Sequence, residues 1–233
     1  MQFRKIHNKG QAQLFKNRYL EYLTKSHPLV IWAMYIPIIS WMIYHSSINL
    51  HLGTLKICSL SLAGIFSWSL FEYIIHRFVF HFIAESKKAS KIVYIIHGNH
   101  HEYPRDKQRL MMPAVPSMML AFVIFIATYA IAYVAGAAEY TFAFFPGFIV
   151  GYLLYGTMHY AIHACNPPFK WMKPLWRNHH MHHYKGDDKG FGVSSTLWDH
   201  VFGTMFDLKK EKEDKEKVQE LMFISRPSDK KIS

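Results

Sequence analysis

The sequence predicts an all-α integral membrane protein, with four transmembrane helices and a cytoplasmic helical cap. Three observations lead to this prediction. The chain is 51% apolar and only 18% charged, its apolar residues collect in four long runs, and its basic residues avoid two of the connections between them. The alternative is a soluble protein with four buried helices. It is less favoured because 233 residues leave too few polar side chains to cover such a core.

Each apolar run is long enough to cross a hydrocarbon core of about 30 Å. The predicted spans are roughly 29–48, 57–75, 115–134 and 142–162. Pro37 and Pro146 interrupt the first and the fourth span, which membrane helices tolerate when neighbouring groups satisfy the freed carbonyls. We therefore predict three segments, which are a cytoplasmic lead over 1–27, a domain carrying the spans over 28–207 and a charged cytoplasmic tail over 208–233.

The distribution of positive charge predicts how the spans are oriented. Of the 27 Lys and Arg residues, 26 lie in 1–27, 76–110 or 170–233, and only Lys56 lies elsewhere. By the positive-inside rule, both termini and the central connection are cytoplasmic, and the short connections near 49–54 and 135–140 face the other side. This orientation implies the endoplasmic reticulum in a eukaryote and the cytoplasmic membrane in a bacterium.

Several classes of protein are disfavoured by the rest of the sequence. Segment 1–27 is basic and lacks the apolar core and cleavage site of a secretory signal. Cys58 and Cys165 are too few for a disulfide framework or a cysteine metal site. The net charge of +11 favours anionic lipid and acidic protein partners, because no nucleic-acid module accompanies it. The tail is a mixed-charge run, and residues 230–233 resemble a dilysine retrieval signal.

Histidine is concentrated in one part of the chain. Eleven of the 16 histidines lie between His76 and His183, in the groups HRFVFH, HGNHH, HYAIH and NHHMHH. Helical residues at i, i+3 and i+4 share a face, so most of these imidazoles can converge. Ten imidazoles exceed what one four-coordinate ion needs, so we predict two metal ions. The predicted ligands are His76, His81, His97, His100, His101, His159, His163, His179, His182 and His183.

The predicted topology brings all four groups to the cytoplasmic ends of the spans. A metal transporter is less favoured, because transporters hold their ligands near the bilayer midplane. Nearby carboxylates are predicted to hold imidazole N–H groups, although each can equally be an exposed charge or a helix cap. These carboxylates are Glu72, Asp106 and Asp199, with Glu102 as a further candidate. The histidines expected outside the ligand set are His7, His27, His45, His51, His180 and His200.

Four runs resemble the fatty-acid 2-hydroxylase branch of the membrane-bound fatty acid hydroxylase and sterol desaturase superfamily. They are FEYIIHRFVFH (71–81), HGNHHEYPRDKQRLMMPAVPS (97–117), HYAIH (159–163) and HHMHHYKGDDKGFGVSSTLWDHVFGT (179–204). The family pattern HxxxxH, HxxHH, HxxxH, HxxHH coincides with all ten predicted ligands. In one departure, Gly156 stands where relatives often carry an aspartate just before the third group.

The resemblance implies a membrane-bound di-iron monooxygenase that inserts oxygen from O2 at C2 of a fatty acyl chain. The acyl chain would belong to a fatty acid, a ceramide or another sphingolipid. The implied cofactors are two iron ions, and zinc can occupy the same nitrogens in purified material. The alternative is a sterol or carotenoid hydroxylase or desaturase of the same superfamily, because the ligands alone do not separate these reactions.

The resemblance also implies a source of electrons. Many relatives carry a fused cytochrome b5 domain, and 1–27 is too short to hold one. An external donor of the cytochrome b5 or ferredoxin type is therefore the expected partner.

Overall fold

The structure, a computed structural model, describes residues 6–207. This range consists of helices joined by turns and loops and contains no strand. The predicted charged tail and its dilysine-like end lie outside the described residues. The α-helices of this range are α1 (Arg18–Leu23), α2 (Pro28–Ile48), α3 (Thr54–Ile74), α4 (Lys87–Val93), α5 (Asn99–Glu102), α6 (Ala114–Val134), α7 (Thr141–Ala164), α8 (Lys173–Tyr184) and α9 (Leu197–Val201).

Four helices, α2, α3, α6 and α7, are long and apolar enough to cross a membrane. Together with their flanking turns they cover Pro28–Asn49, Thr54–Phe80, Ala114–Val134 and Ala138–Ala164. The predicted fold class is confirmed. The apolar helix that corresponds to the predicted second span, roughly 57–75, covers Thr54–Phe80. Its first turn includes Lys56, whose Nζ lies over the ring of Tyr140, 4.9 Å from the centroid.

Helix α7 is the central helix of the bundle, with buried residues along its whole length. Its closest neighbour is α3. A Cβ atom at Gly147 would overlap the backbone of Ser61, and one at Gly64 would overlap the backbone of Phe144. Small residues allow two membrane helices to approach this closely. The contact holds α3 against α7 in the half of the bundle that lies away from the cap.

Helix α6 is the least enclosed of the four. Ser117 is its only buried residue, and the other apolar side chains of α6 are exposed or half-buried. Hydrogen bonds of 2.9 Å join the Ser117 hydroxyl to those of Tyr35 on α2 and Tyr152 on α7. These bonds attach α6 to the bundle near its cap end, since Ser117 lies in the first turn of the helix.

Residues 81–113 and 165–207 form a cap at one end of the bundle. The short connections at 49–53 and 135–137 lie at the other end. The described part of the N-terminal lead packs on the cap. The backbone N–H of His7 donates to the Glu102 carbonyl at 2.7 Å, and that of Ser26 donates to the Gln108 carbonyl at 2.8 Å. The lead is therefore part of the folded structure around the histidines.

Candidate metal centre

A π-helical turn brings the first two histidines together. Helix α3 continues into a π-helix over Ile75–Phe80, and the backbone N–H of His81 donates to the carbonyl of His76 at 3.3 Å. In a π-helix, residues five apart lie on the same face. In an α-helix they are about 140° apart around the axis. The HxxxxH spacing therefore requires this turn.

A second π-helical turn, Tyr94–Gly98, contains His97 and leads directly into His100 and His101. Its wider backbone leaves carbonyl groups without their usual partners. The Asn99 side chain supplies partners, because its Nδ2 donates to the carbonyls of Tyr94 at 3.0 Å and Ile95 at 2.8 Å. Asn99, which lies between His97 and His100, thus stabilises the turn that orients these histidines.

The ten predicted ligands converge in two groups of five. In each group, one nitrogen of every ring lies within 4.8 Å of the corresponding nitrogens of the others. The rings of His101 and His183 stack between the groups, with centroids 4.1 Å apart. Group one is His76, His81, His97, His101 and His182, and group two is His100, His159, His163, His179 and His183.

The distances between the imidazole nitrogens fit metal coordination. The Nε2 atoms are 2.8 Å apart in His159 and His100, and 2.9 Å apart in His179 and His163. Nitrogens bound to one ion at about 2.0–2.1 Å, with angles of 90–109° between them, are about 2.8–3.4 Å apart. The spacing therefore matches nitrogens that share an ion.

Backbone carbonyls fix the tautomer of three of these imidazoles. Because a carbonyl only accepts, each Nδ1 carries the proton and each Nε2 keeps its lone pair. That lone pair is the one that binds a metal ion. The pairs are His76 with Phe191 at 2.5 Å, His159 with Leu110 at 2.8 Å and His182 with Lys189 at 2.6 Å.

Burial keeps six of the predicted ligands in the cap neutral. It is the first cause that lowers the pKa of these imidazoles below the ordinary value, and neighbouring imidazoles lower the pKa further. The pKa of His182 falls to about 3, with burial as the first cause and His81 as the second. Neutral imidazole is the metal-binding form. The other cap histidines of the two groups whose pKa falls well below the ordinary value are His97, His100, His101, His179 and His183.

The expected role of Glu72 and Asp199 needs correction, because neither carboxylate bonds to an imidazole. Both instead hold the loop 189–194, which carries two of the orienting carbonyls. Glu72 accepts from the backbone N–H groups of Val193 and Ser194, each at 2.9 Å. Asp199 accepts from those of Phe191 at 2.9 Å and Gly192 at 2.8 Å. Buried backbone N–H groups need acceptors, and the two carboxylates supply them. They therefore orient the imidazoles indirectly, through the loop that carries the carbonyls, and not by direct bonds as predicted.

Asp106 and Glu102 also bond elsewhere. Asp106 pairs with Arg109 at 2.6 Å, and Glu102 accepts from the hydroxyl of Tyr94 at 2.6 Å. Asp187 lies near one of the predicted ligands, because its Oδ2 is 3.7 Å from Nδ1 of His81. Sequence reasoning missed it, although the residue lies in the loop directly after the last histidine group.

The remaining histidines of the described range lie outside both groups. His180 is buried, and its Nδ1 donates to the Trp176 carbonyl at 2.7 Å. Burial lowers the pKa of His180 to about 4. His200 is exposed and donates to the Thr196 carbonyl at 2.8 Å. Their positions outside both groups agree with the expectation that neither is a metal ligand. The assignment of the ten ligands remains a prediction.

A largely apolar cavity of about 360 Å³ leads from the bundle to the histidines. His97, His100 and His159 line its cap end, and Phe145 and Phe148 line its other end. From His159 to Phe145 it follows α7 for roughly 21 Å. Its walls come from α3, α6, α7, Tyr35 of α2, parts of the cap and the N-terminal lead.

Gly156, where relatives often have aspartate, lies in the cavity wall. A Cβ atom there would overlap the terminal methyl of Met111. The space that an aspartate would need is therefore filled by Met111. A carboxylate at this position would fit only if the methionine moved.

The family model for fatty acid hydroxylases matches residues 61–204, a range that contains both groups of five histidines. The chain belongs to the fatty acid hydroxylase family. The predicted resemblance is thereby confirmed.

Relatives in this family come from plants, fungi and mammals. The chain is 34% identical to a dihydroceramide fatty acyl 2-hydroxylase of Arabidopsis thaliana, covering 86% of this chain and 82% of that protein. It is 39% identical to a ceramide very long chain fatty acid hydroxylase of Saccharomyces cerevisiae, covering 85% of this chain and 50% of that protein. A solved structure of full-length scs7p, with only the hydroxylase domain visible, matches 88% of this chain and 76% of that one, with a TM-score of 0.79 and 35% identity. The chain spans about half the length of the yeast relative.

Proposed function

We propose that this protein is an O2-dependent di-iron monooxygenase that hydroxylates C2 of a fatty acyl chain, with ceramide or a related sphingolipid as substrate. One observation carries the proposal. Ten buried imidazoles in two groups lie at the cap end of a largely apolar cavity that extends into the membrane bundle. The plant relative, a dihydroceramide fatty acyl 2-hydroxylase, supports this reaction, and the yeast relative, a ceramide very long chain fatty acid hydroxylase, supports the same substrate class.

The reaction replaces one C2–H bond by C2–OH. One oxygen atom of O2 enters the product, and the other leaves as water after uptake of two electrons and two protons. Iron, when bound by the two groups of histidines, supplies the redox chemistry that this requires, whereas zinc has none. Zinc is nevertheless expected in some purified material, because imidazole binds both metals.

The residues of the chain contribute binding and orientation. The apolar wall along α6 and α7 holds the acyl tail by the hydrophobic effect and excludes water from it. The carbonyls of Phe191, Leu110 and Lys189 keep three imidazoles in the tautomer that presents Nε2 to a metal. The reacting carbon must lie near the cap end, because the histidines line only that end of the cavity.

We further propose that the cap and the N-terminal lead face the cytoplasm, as the distribution of Lys and Arg predicts. Thiol labelling tests this proposal. Cys165 follows α7 directly and is exposed. In a Cys58→Ser variant, an impermeant thiol reagent should label Cys165 only when the cytoplasmic face is open. Labelling from the opposite face would contradict this orientation.

The two electrons must come from a carrier, and we propose an acidic protein of the cytochrome b5 or ferredoxin type. The basic side of the molecule would attract such a partner, and salt would weaken the attraction. In membranes supplied with a reduced carrier, the rate at subsaturating carrier should fall as the salt concentration rises. A rate independent of salt would contradict electrostatic docking.

Lipid mass spectrometry tests the main proposal directly. A host expressing the chain should accumulate acyl chains heavier by one oxygen, with fragments that locate the hydroxyl at C2. A His179→Ala version should not produce them. A loss of two mass units would indicate desaturation, and a modified sterol or carotenoid would indicate the alternative branch of the superfamily.

A further inference from the structure

We propose that Arg109 binds the carbonyl oxygen of the acyl substrate and thereby sets C2 as the position that is hydroxylated. This inference rests on the proposed function and identifies the group that would position its substrate. Arg109 lies in the wall of the cavity and is only 9% exposed.

One of the three guanidinium nitrogens of Arg109 makes no hydrogen bond to the described residues. Its Nη1 donates to Asp106 at 2.6 Å, and its Nη2 donates to Glu21. Its Nε is buried and has no hydrogen-bond partner among the described residues. A buried N–H without an acceptor is costly, so this atom marks a position where an acceptor from a ligand would be stabilising.

The position of Arg109 along the cavity suits the carbonyl end of an acyl chain. The next residue, Leu110, accepts the Nδ1–H of His159 at 2.8 Å. Adjacent Cα atoms are only about 3.8 Å apart. The backbone of Arg109 therefore lies beside the metal centre. The C1 carbonyl of the substrate must lie there too if C2 is the carbon that reacts.

The side chains of Thr24, Asn99 and Trp68, which also line the cavity, are less suited to this role. The Thr24 hydroxyl donates to the Glu21 carbonyl at 2.7 Å, and Asn99 bonds to its own turn. Trp68 also has an unpaired Nε1, but it lies eight residues before His76, roughly 12 Å along α3. A carbonyl bound at Trp68 would therefore lie about two turns from the histidines.

The charge around Arg109 favours a neutral acceptor. Glu21 and Asp106 place two carboxylates against one guanidinium, so this cluster of three side chains carries one net negative charge. A free fatty acid would add a third carboxylate, and like charges repel. The carbonyl of an acyl amide adds none, so the inferred ligand group is a neutral amide carbonyl.

The test compares Arg109→Lys with the wild-type protein. Lysine keeps a positive charge between the two carboxylates but has no Nε–H in the guanidinium position. We expect KM for an acyl amide to rise roughly 10- to 150-fold, the equivalent of one hydrogen bond to a charged group. Because the acyl chain would no longer be held at its carbonyl end, its position along the cavity would vary. C3-hydroxylated product should therefore appear beside the C2 product.

The matched control is Glu21→Gln, which weakens the same ion-pair network without removing the Nε donor. All of its product should remain at C2. If Arg109→Lys kept the wild-type KM and gave C2 product alone, the role of Arg109 would be refuted. The proposed function would still stand, since it fails only if the wild-type chain makes no 2-hydroxyacyl product.

A measurement on the wild-type protein keeps the inference testable if the variant does not fold. An acyl amide labelled with ¹³C at C1 is bound to the holoenzyme without reductant, and the infrared carbonyl stretch is recorded. A bond from the guanidinium should move the stretch to lower frequency than in the same lipid in detergent. An unshifted stretch in the bound lipid would overturn the proposal.

Discussion

The backbone carbonyl of Phe191 lies 2.5 Å from Nδ1 of His76, although 115 residues separate the two in the chain. The bond joins the cap end of α3 to the loop 189–194. That loop is in turn held by the carboxylates of Glu72 and Asp199. The orientation of a predicted ligand therefore depends on two acidic residues that do not touch it.

The first prediction concerns Asp199→Asn. An amide NH2 would replace one of two oxygens that both accept backbone N–H groups. We expect the free energy of unfolding to fall by about 1–3 kcal/mol and metal affinity to fall about 10- to 100-fold. Thermal unfolding and metal retention against a chelator measure these effects. The control is Asp188→Asn, an exposed change in a nearby loop, and equal metal retention in both variants would contradict the prediction.

The second prediction concerns the number of metal ions. Since His81 and His163 belong to different groups of five, His81→Ala and His163→Ala should each lose one ion and retain the other. The double variant should lose both. Elemental analysis of purified protein gives the metal content per chain. His200→Ala, a change at an exposed histidine, should retain two ions. The two-site arrangement is wrong if the double variant still holds one equivalent.

The third prediction concerns the contact between α3 and α7. In Gly147→Ala the new methyl would overlap the backbone of Ser61, which cannot move as a side chain can. We expect a loss of stability near the upper end of the ~1–3 kcal/mol typical of overpacking. Unfolding in mixed micelles measures it. Gly53→Ala is the matched control, because nothing lies within 4 Å of its added Cβ atom. Equal stability of the two variants would exclude a tight contact.

The fourth prediction concerns the length of the acyl chain. Ala121 lies in the cavity wall on α6, between the histidines and Phe148. In Ala121→Trp the indole would fill part of the cavity, so the products should shift towards shorter acyl chains. Chromatography and mass spectrometry of the hydroxylated lipids give the distribution. Ala127→Trp, on the exposed face of the same helix, should leave the distribution unchanged, and a similar shift in both variants would refute this role of the cavity.

The spans and the histidine groups were predictable because each depends on local pattern. Continuous apolar runs identified the four spans, and histidine spacing with predicted topology indicated one common centre. The π-helical turn after Ile74 was not predicted, although the five-residue spacing of His76 and His81 was its signal. Asp199 and Glu72 were noticed, but their partners are backbone N–H groups of a loop whose path no local pattern specifies.

The contribution of the N-terminal lead was also missed. Its residues show no periodicity that predicts a position, and Glu21 reaches Arg109 across 88 residues of sequence. Such a pairing depends on the tertiary fold. The sequence predicted a histidine centre, and the structure was needed to find which residues surround the cavity beside it.

The π-helical turn at Ile75–Phe80 also makes room for one residue more than an α-helix would hold over the same length. Deleting one residue from it would restore α-helical geometry, and two histidines four apart would still share a face. Because the wide turn absorbs the additional residue, the chain would leave α3 towards the cap in nearly the same direction after the deletion. The additional residue therefore widens the helix at the first pair of histidines, and it is not needed to keep the bundle and the cap in register.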